Sequence, residues 1–363
     1  MQSDLKTDTI PVMDNALPTS LPITGEMLRL ISEVDRYRGQ WSAIQGLSPE
    51  RLSGLRRVAT IESVGSSTRI EGSKLSDAEV ADLLGRLETQ SFRNRDEEEV
   101  AGYAYVMELV FAHHPEMPLT EGVLLQLHRD LLRHSSKDER HRGAYKTLPN
   151  HVAAFDADGR ELGIVFATTS PFDTPREMES LLAWHRRVEA EELLHPLLRI
   201  GVFIVWFLAI HPFQDGNGRL SRILTTLLLL RAGYTYVPYC SLESLIEPSK
   251  ETYYLALRRT QGTLRQETPD WESWLHFFLR CLHRQTGVLQ ERLVEDEARR
   301  ALLSPLAARL AALFQSHETL SLAQAAAQLT ANPHTLKGKF RELLAHGLIE
   351  ARGKGRGAHY VWK

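Results

Sequence analysis

The sequence has little cysteine and almost no excess charge. Its 363 residues include two cysteines, Cys240 and Cys281, too few for a disulfide framework, and no Cys-x-x-Cys pair suited to a metal or redox site. We therefore interpret both as thiols of the core. The formal net charge is −3, which excludes a chain-wide positive field, so binding to nucleic acid or an acidic membrane would require a local basic patch.

Long apolar runs and targeting segments are also missing. The first residues lack a basic start followed by an apolar run, so the sequence predicts no signal peptide. The longest apolar stretch, 193–210, contains His195, Pro196 and Arg199, which leaves a run too short to span a bilayer. We interpret it as a core helix and expect a cytoplasmic protein without membrane association.

Helical periodicity dominates the chain up to about residue 296. Residues 1–22, with three prolines among polar residues, predict a flexible arm. Residues 142–170 resist a helical interpretation because glycines interrupt them and Asp158-Gly159 is a turn signal, so they predict a β-hairpin or irregular flap. The predicted helices begin near Thr24 and Pro49 and then cover about 76–89, 96–112, 119–134, 174–190, 194–210, 217–231, 249–264 and 270–296.

The last part of the chain changes character. Segments at 299–315, 321–328 and 333–346 predict three helices, and 348–352 with 358–362 flank the basic glycine run Gly353–Gly357. Three helices followed by a hairpin with a basic tip predict a winged helix-turn-helix domain. The predicted division is an arm (1–22), an N-terminal helical region (23–95), a central helical core (96–296) and the winged domain (297–363).

The most informative segment is His-Pro-Phe-Gln-Asp-Gly-Asn-Gly-Arg-Leu-Ser-Arg at 211–222. Pro212 biases His211 away from helical dihedrals, so the chain turns there. Gly216 and Gly218 permit unusual dihedrals and close backbone approach. The chain then re-enters a helix, and a Gly-rich loop at a helix N-terminus favours phosphate because its N–H groups are free and the helix dipole is positive there.

Charged side chains complete this predicted anion site. Arg219 and Arg222 are three residues apart, on one helix face, and arginine suits bidentate phosphate contacts. Asp215 beside phosphates is best explained by a divalent cation, since Mg²⁺ is held by one or two carboxylates plus phosphate oxygens. His211 is the natural proton acceptor, because the unperturbed pKa of histidine is near neutrality. Together these residues predict chemistry at a nucleotide phosphate.

Two other interpretations of the same residues are open. In one, His211 is a core histidine and the glycines form only a tight turn. In the other, His211 and Asp215 are metal ligands one helical turn apart. Pro212 and Gly216 disfavour that second arrangement, since both interrupt a helix.

The segment 211–222 resembles the Fic-domain motif His-Pro-Phe-x-Asp/Glu-Gly-Asn-Gly-Arg-x-x-Arg at every specified position. The resemblance implies a mainly α protein: a Fic-type helical core whose β-hairpin flap clamps an extended target segment. It implies transfer of AMP from ATP to a Ser, Thr or Tyr hydroxyl of a protein, and self-modification. Relatives that phosphorylate have Lys in place of Gly218, which disfavours that chemistry, whereas relatives that transfer phosphocholine keep the loop, so that donor stays open.

The resemblance also implies a role for each loop residue. His211 is the general base, Phe213 packs inward and anchors the loop, and Asp215 holds Mg²⁺ against the phosphates. The implied nucleotide-binding residues are Gly216, Asn217 and Gly218 as the anion hole, Arg219 on the phosphates and Arg222 on the γ-phosphate.

Outside the loop the resemblance is weaker. Tyr253 and Tyr254 resemble residues beside the adenine site, and a core role explains both equally well. Gly143-Ala-Tyr-Lys146 resembles the start of the flap, where the family commonly has Arg in place of Lys146. This departure leaves a direct role for Lys146 open.

Ser67-Thr-Arg-Ile-Glu71-Gly72 resembles the family's inhibitory pattern Ser/Thr-x-x-x-Glu-Gly/Asn. Ser67 and Glu71 are four residues apart, on one helix face, and the Glu71 carboxylate would pair with Arg222 and remove it from the γ-phosphate. We therefore predict autoinhibition by Glu71, with the inhibitory helix in region 23–95. In some relatives this glutamate also helps remove AMP, so the reverse reaction stays open. A plain helix C-terminus at Gly72 is compatible with this role.

Residues 337–363 contain seven Lys or Arg against two Glu. This basic patch predicts DNA binding through 333–363, with the helix 333–346 in the major groove and the Gly353–Gly357 tip on the backbone or minor groove. A protein-interaction module is the alternative. A second function therefore competes with the first: a DNA-binding regulator whose core senses nucleotide.

Overall fold

The computed structural model describes residues 17–44, 49–86, 91–155, 161–314, 317, 319–353 and 358–362. The helices of its larger part are α1 (Gly25–Ile44), α2 (Pro49–Ile70), α3 (Asp77–Leu84), α4 (Arg95–His113), α5 (Glu121–Leu131), α6 (Thr174–Ala190), α7 (Pro196–Ile210), α8 (Asn217–Arg231), α9 (Glu243–Ile246), α10 (Lys250–Gln261) and α11 (Trp271–Ala301). A hairpin of β1 (Val152–Phe155) and β2 (Glu161–Phe166) lies between α5 and α6. The fold is therefore mainly helical, as predicted.

Side-chain caps determine where several helices begin. The Ser76 hydroxyl accepts a hydrogen bond from the Glu79 N–H and starts α3, and the Asn94 and Thr120 side chains cap α4 and α5 in the same way. Each such cap contributes about 1 kcal/mol to helix stability. Because α4 begins at Arg95, its first side chains lie beside the loop that follows α7.

Helix α7 is the centre of the hydrophobic core. All of its residues from Leu197 to Ile210 are buried, and it packs against α6, α8, α10 and α11. Its approach to α11 requires Gly201, where a Cβ would lie 2.7 Å from a Leu275 methyl carbon, and the Trp274 indole donates a 2.7 Å hydrogen bond to the Gly201 carbonyl. The expected core helix is confirmed. Among the described residues, no helix combines the length and apolarity that crossing a bilayer requires.

The C-terminal end of α2 is fixed beside the start of α8. Arg69 in its last turn pairs with both Glu247 carboxylate oxygens at 2.7 and 2.9 Å and with Asp77 at 2.9 Å. The chain then turns at Gly72, whose φ of +108° is in the range that favours glycine. This anchoring orients Ser67 and Glu71 towards Arg222 of α8.

The hairpin is antiparallel, with Val152 opposite Phe166 and Phe155 opposite Glu161. Its predicted turn, Asp158-Gly159, lies outside the described residues, as do residues 1–16 of the predicted arm. The part of the arm that is described packs onto the core, since Leu17 is buried and the Trp184 indole donates to the Pro18 carbonyl at 2.9 Å.

The C-terminal part has its own hydrophobic cluster, in which Leu310, Leu336 and Phe340 are fully buried. Its elements are α12 (Pro305–Leu313), β3 (Thr319–Ser321), α13 (Leu322–Leu329), α14 (Pro333–Ala345), β4 (Ile349–Arg352) and β5 (His359–Trp362). The three helices and the hairpin follow the prediction, and β3 adds an unpredicted strand in the sheet order β3-β5-β4. Helix α11 continues to Ala301, so the predicted boundary at 296/297 lies inside it.

Candidate active site

The loop 211–216 connects the buried ends of α7 and α8. His211 adopts the left-handed conformation, with φ 52° and ψ 60°, while its N–H still donates to the Phe207 carbonyl at 2.9 Å. Gly216 also has a positive φ, 81°, and immediately precedes α8. The chain therefore passes from α7 to α8 within six residues, and the two helices pack against each other.

Phe213 anchors the loop in the core. It is fully buried, and the His128 ring stacks on it with centroids 3.8 Å apart. His128 Nδ1 accepts from the Gly143 N–H at 2.9 Å, so Nε2 carries the proton and donates to the Asp215 carbonyl at 3.0 Å. Burial lowers the pKa of His128 to about 4, which keeps the ring neutral. The sequence predicted no role for His128, which lies on the buried face of α5 with Leu124 and Leu131.

Asn217 closes the loop on itself. Its side-chain oxygen accepts from the Phe213 N–H at 2.9 Å, and its amide nitrogen donates to the Phe213 carbonyl at 2.7 Å. The Asn217 side chain is thus occupied by the loop backbone. Its predicted contribution to an anion hole would come from its backbone N–H, at the start of α8.

The carboxylate of Glu71, just after α2, lies against the first turn of α8. A Cβ on Gly218 would overlap the carboxylate of Glu71. Only glycine at 218 therefore allows Glu71 to approach the backbone this closely. A carboxylate therefore lies against the first turn of the helix whose N-terminus the sequence predicts to bind phosphate.

Arg222 binds the same end of α2. It lies almost fully buried, and its guanidinium donates to the Ser67 hydroxyl at 2.8 Å, the Ser67 carbonyl at 3.0 Å and the Glu71 carboxylate at 2.7 Å. Burial by itself would lower the pKa of Arg222, but the Glu71 charge, together with Tyr253 and Tyr103, outweighs it and raises that pKa. The predicted contact between Glu71 and Arg222 is present.

A ring of four alternating charges lies on the other side of the loop. Arg95 pairs with Asp215 at 2.8 Å and with Glu99 at 2.7 Å, and Arg219 pairs with Glu99 at 3.1 Å and with Asp215 at 3.2 Å. Arg219 was predicted to contact the phosphates, whereas it is buried against the carboxylates of Glu99 and Asp215. Arg95 and Glu99 were missed, because they lie more than 100 residues before the loop.

Asp215 is the predicted Mg²⁺ ligand. Burial opposes its ionisation, but Arg219, the Gly216 N–H and Arg95 outweigh burial and lower the pKa of Asp215. Its side chain keeps one third of its surface exposed, so it can reach a ligand. No group of three or more His, Cys, Asp or Glu side chains in the described residues is arranged to hold a metal ion. A single carboxylate fits a cation that arrives together with phosphate oxygens.

Comparison with known families identifies the domain that contains this loop. Residues 118–229 match the sequence model of the Fic/DOC family. The chain contains a Fic domain. The matched segment runs from just before α5 to the last turn of α8 and includes the whole loop between α7 and α8.

Curated relatives and solved structures agree with this assignment. The Protein adenylyltransferase Fic of Drosophila virilis is 30% identical over 211 residues, covering 57% of this chain and 40% of the relative. That of Culex quinquefasciatus is 28% identical over 207 residues, covering 55% and 38%. This chain therefore matches about two fifths of the length of these curated relatives.

Two structures resemble the chain beyond the matched segment. A Fic family protein from Desulfovibrio desulfuricans G20 is 22% identical with a TM-score of 0.62, covering 94% of this chain and 97% of that one. A Fic domain containing signaling protein from Bacteroides thetaiotaomicron is 26% identical with a TM-score of 0.58, covering 71% and 95%. At 22% identity the first likeness bears on the fold alone.

His211, the first residue of the loop, has a neutral imidazole at neutral pH. Burial, together with the nearby Lys146 ammonium, lowers the pKa of His211 to about 4.

The two tyrosines predicted near the adenine differ in exposure. Tyr253 is buried and packs edge-on against Trp274, a core environment, whereas Tyr254 is only partly buried. Of the two tyrosines predicted near the adenine, Tyr254 has the more accessible ring.

Proposed function

We propose that the protein transfers AMP from ATP to a Ser, Thr or Tyr hydroxyl of a target protein. The observation that carries this proposal is the first turn of α8, a phosphate-type site that an internal carboxylate approaches at Gly218 and Arg222. The names of the relatives, Protein adenylyltransferase Fic, support AMP as the transferred group. The phosphates of ATP would take the place that Glu71 occupies.

In the proposed reaction, the hydroxyl oxygen of the target attacks the α-phosphorus of ATP. The bond from that phosphorus to the oxygen bridging to the β-phosphate breaks, and pyrophosphate leaves. His211 takes the hydroxyl proton, for which its neutral imidazole is suited. The N–H groups at the start of α8 stabilise charge on the phosphates, and the fixed loop holds the base near the attacking oxygen.

Mg²⁺ is the cation that we propose at Asp215. Bound there with phosphate oxygens, it would neutralise phosphate charge during transfer. Arg95 donates to the Oδ2 atom of Asp215, and the Oδ1 atom accepts a hydrogen bond from the Gly216 N–H at 2.6 Å. Arg95 would therefore compete with the cation for the Oδ2 atom. Because Arg95 is the first residue of α4 and its side chain is half-exposed, it can move away when the cation binds.

We also propose that Glu71 inhibits the transfer. Its carboxylate pairs with Arg222 and lies over Gly218, so the γ-phosphate loses its proposed arginine and part of its space. ATP would then bind weakly or with its α-phosphate displaced from the line of attack, and a displacement of about 1 Å can cost roughly a hundredfold in rate. Release requires the end of α2 to move or Glu71 to rotate away.

The proposed activity is tested by radiolabelling the Glu71→Gly variant with itself as acceptor. α-labelled ATP should label the protein and γ-labelled ATP should not, because AMP is transferred and pyrophosphate leaves. The His211→Ala, Glu71→Gly double variant is the control for the base, and it should lose about 10²–10⁴ in rate. Label from γ-labelled ATP would instead indicate phosphorylation. A third incubation, with labelled CDP-choline, tests the phosphocholine donor.

DNA binding by the C-terminal part is a second proposed function. The supporting observation is α14, whose exposed face presents Lys337 and Arg341 four residues apart beside the exposed His334. In a winged helix-turn-helix domain this face would enter the major groove. The proposed tip residues Lys354 and Arg356 lie outside the described residues.

A titration of labelled duplex DNA at low salt tests this second function. Lys337→Ala with Arg341→Ala should weaken binding and reduce the slope of log affinity against log salt by about one unit per lost phosphate contact. An absence of binding by the parent protein at low salt would leave a protein-interaction module as the explanation of the basic face.

A further inference from the structure

The backbone of the loop 211–216 is held by residues 146–150, which lead into the β1–β2 hairpin. All four carbonyls of residues 210–213 accept hydrogen bonds from two residues of that segment. The four bonds are Lys146 Nζ to Ile210 O at 2.9 Å, Asn150 Nδ2 to His211 O at 3.3 Å, Lys146 N to Pro212 O at 2.8 Å and Asn150 Nδ2 to Phe213 O at 2.5 Å.

Two of these bonds hold the peptide groups on either side of the His211 Cα. The Ile210 carbonyl belongs to the peptide before His211, and the His211 carbonyl belongs to the peptide after it. The orientations of these two planes define φ and ψ of His211, and φ and ψ define where its Cβ points. Lys146 and Asn150 therefore act on the direction of the imidazole without touching it.

His211 needs such support because its backbone is strained. A non-glycine residue in the left-handed region, here with φ 52°, is strained and persists only where surrounding contacts enforce it. A histidine free of these contacts would relax towards a negative φ and turn its side chain away.

Lys146 is unusual in being a buried ammonium whose hydrogen-bond acceptors are all neutral. Its side chain is 2% exposed and donates to the Asn150 side-chain oxygen at 2.8 Å, the Thr168 hydroxyl at 3.0 Å and the Ile210 carbonyl. Burying a charge without a carboxylate partner is costly, so this arrangement points to a requirement beyond packing. Thr168, just after β2, also donates to Asn150.

We propose that Lys146 and Asn150 are positioning residues that fix the direction of the His211 side chain and, through Thr168, join it to the base of the β1–β2 hairpin. The inference deepens the proposed function, since His211 is the base of that reaction. In this arrangement the hairpin and His211 form one unit. A target segment bound along the hairpin is thereby placed in a fixed relation to the imidazole.

The test compares variants in the Glu71→Gly background. Asn150→Ala removes the donor to the His211 and Phe213 carbonyls. Lys146→Met removes the side-chain donor to the Ile210 carbonyl while keeping the length of the side chain. Both should slow AMP transfer by about 10–100-fold, the cost of misplacing a reacting group by up to 1 Å. ATP affinity should stay within about twofold, because the phosphate site is untouched. Lys146→Arg keeps a donor and should retain most of the rate that Lys146→Met loses.

A spectroscopic readout separates positioning from general loosening and does not depend on transfer. In protein with isotope-labelled histidine, recorded at pH 8 so that the ring is neutral with or without the Lys146 charge, the ring signal of His211, identified by its loss in His211→Ala, should shift in Asn150→Ala and Lys146→Met. Asn332→Ala, a matched substitution at the cap of α14, should leave it in place. Melting temperatures of all variants show whether each is folded.

Two results would overturn the inference: an unchanged His211 signal in both variants, or a rate loss matched by an equal loss of ATP affinity. If Asn150→Ala does not fold, Lys146→Met decides. If the Glu71→Gly parent transfers no AMP, the proposed function fails, and the ring signal alone decides this inference.

Discussion

Replacing Arg95 by Ala should tighten the Mg²⁺-dependent binding of ATP. The guanidinium of Arg95 lies 2.8 Å from the Asp215 oxygen that the cation would need, and the two side chains are 45% and 34% exposed. Ion pairs at such exposure contribute about 0–1 kcal/mol. Removing this competitor should therefore lower the Kd of the Mg²⁺–ATP complex by up to about fivefold, since 1.4 kcal/mol corresponds to a factor of ten.

The assay is calorimetric titration of ATP into protein at several Mg²⁺ concentrations. The background is His211→Ala with Glu71→Gly, so that the γ-phosphate site is open and ATP is not consumed. Arg93→Ala is the matched control, because Arg93 lies two residues earlier with its side chain 74% exposed and 3.9 Å from Glu97. Weaker binding after Arg95→Ala would refute the reasoning, because it would mean that Arg95 assists the bound phosphates instead of competing with the cation.

Three further outcomes are expected. His128→Ala should lower the free energy of unfolding by about 2–4 kcal/mol in denaturant titrations, since it removes a buried ring and leaves the Gly143 N–H unpaired. In the same assay the control His334→Ala, at an exposed position, should change it little. Burial lowers the pKa of His128 and His211 to about 4 and that of His185 to about 3, so the unfolded chain binds more protons between pH 6.5 and 4. Stability should therefore fall as pH drops through that window, which unfolding at pH 7 and 5 would reveal. Arg222→Ala combined with Glu71→Gly should not transfer AMP, and an active double variant would disprove the γ-phosphate role of Arg222.

Local signals explain why much of the fold could be predicted from the sequence. The bounds expected for α6 and α8, 174–190 and 217–231, coincide with those observed. A Thr-Pro start marks the first, and the glycine loop marks the second. Strand β3 could not be predicted, because three residues are too few to display alternation and it forms only by pairing with β5.

The candidate site could be predicted from the sequence only where its residues are contiguous. The segment 211–222 carries its proposed chemistry in twelve neighbouring positions, so residue types and spacing sufficed for the prediction. Arg95, His128 and Asn150 reach the loop from other elements, each 60 or more residues away along the chain. Their roles arise from tertiary packing, for which the sequence gives no local signal. Glu71 was the exception, because its helix end has a pattern of its own.

In the proposed function, the α8 site binds ATP for AMP transfer and Glu71 blocks it. The most direct measurement is the rate of self-labelling by α-labelled ATP in the parent protein and in Glu71→Gly. The Glu71–Arg222 contact of 2.7 Å and the close approach of the Glu71 carboxylate to Gly218 predict a steep rise in Glu71→Gly, with a smaller rise in Glu71→Asp, whose shorter side chain reaches Arg222 less well. Equal labelling of a clearly active parent and Glu71→Gly would contradict the inhibition, and no α-label in either protein would contradict the transfer itself.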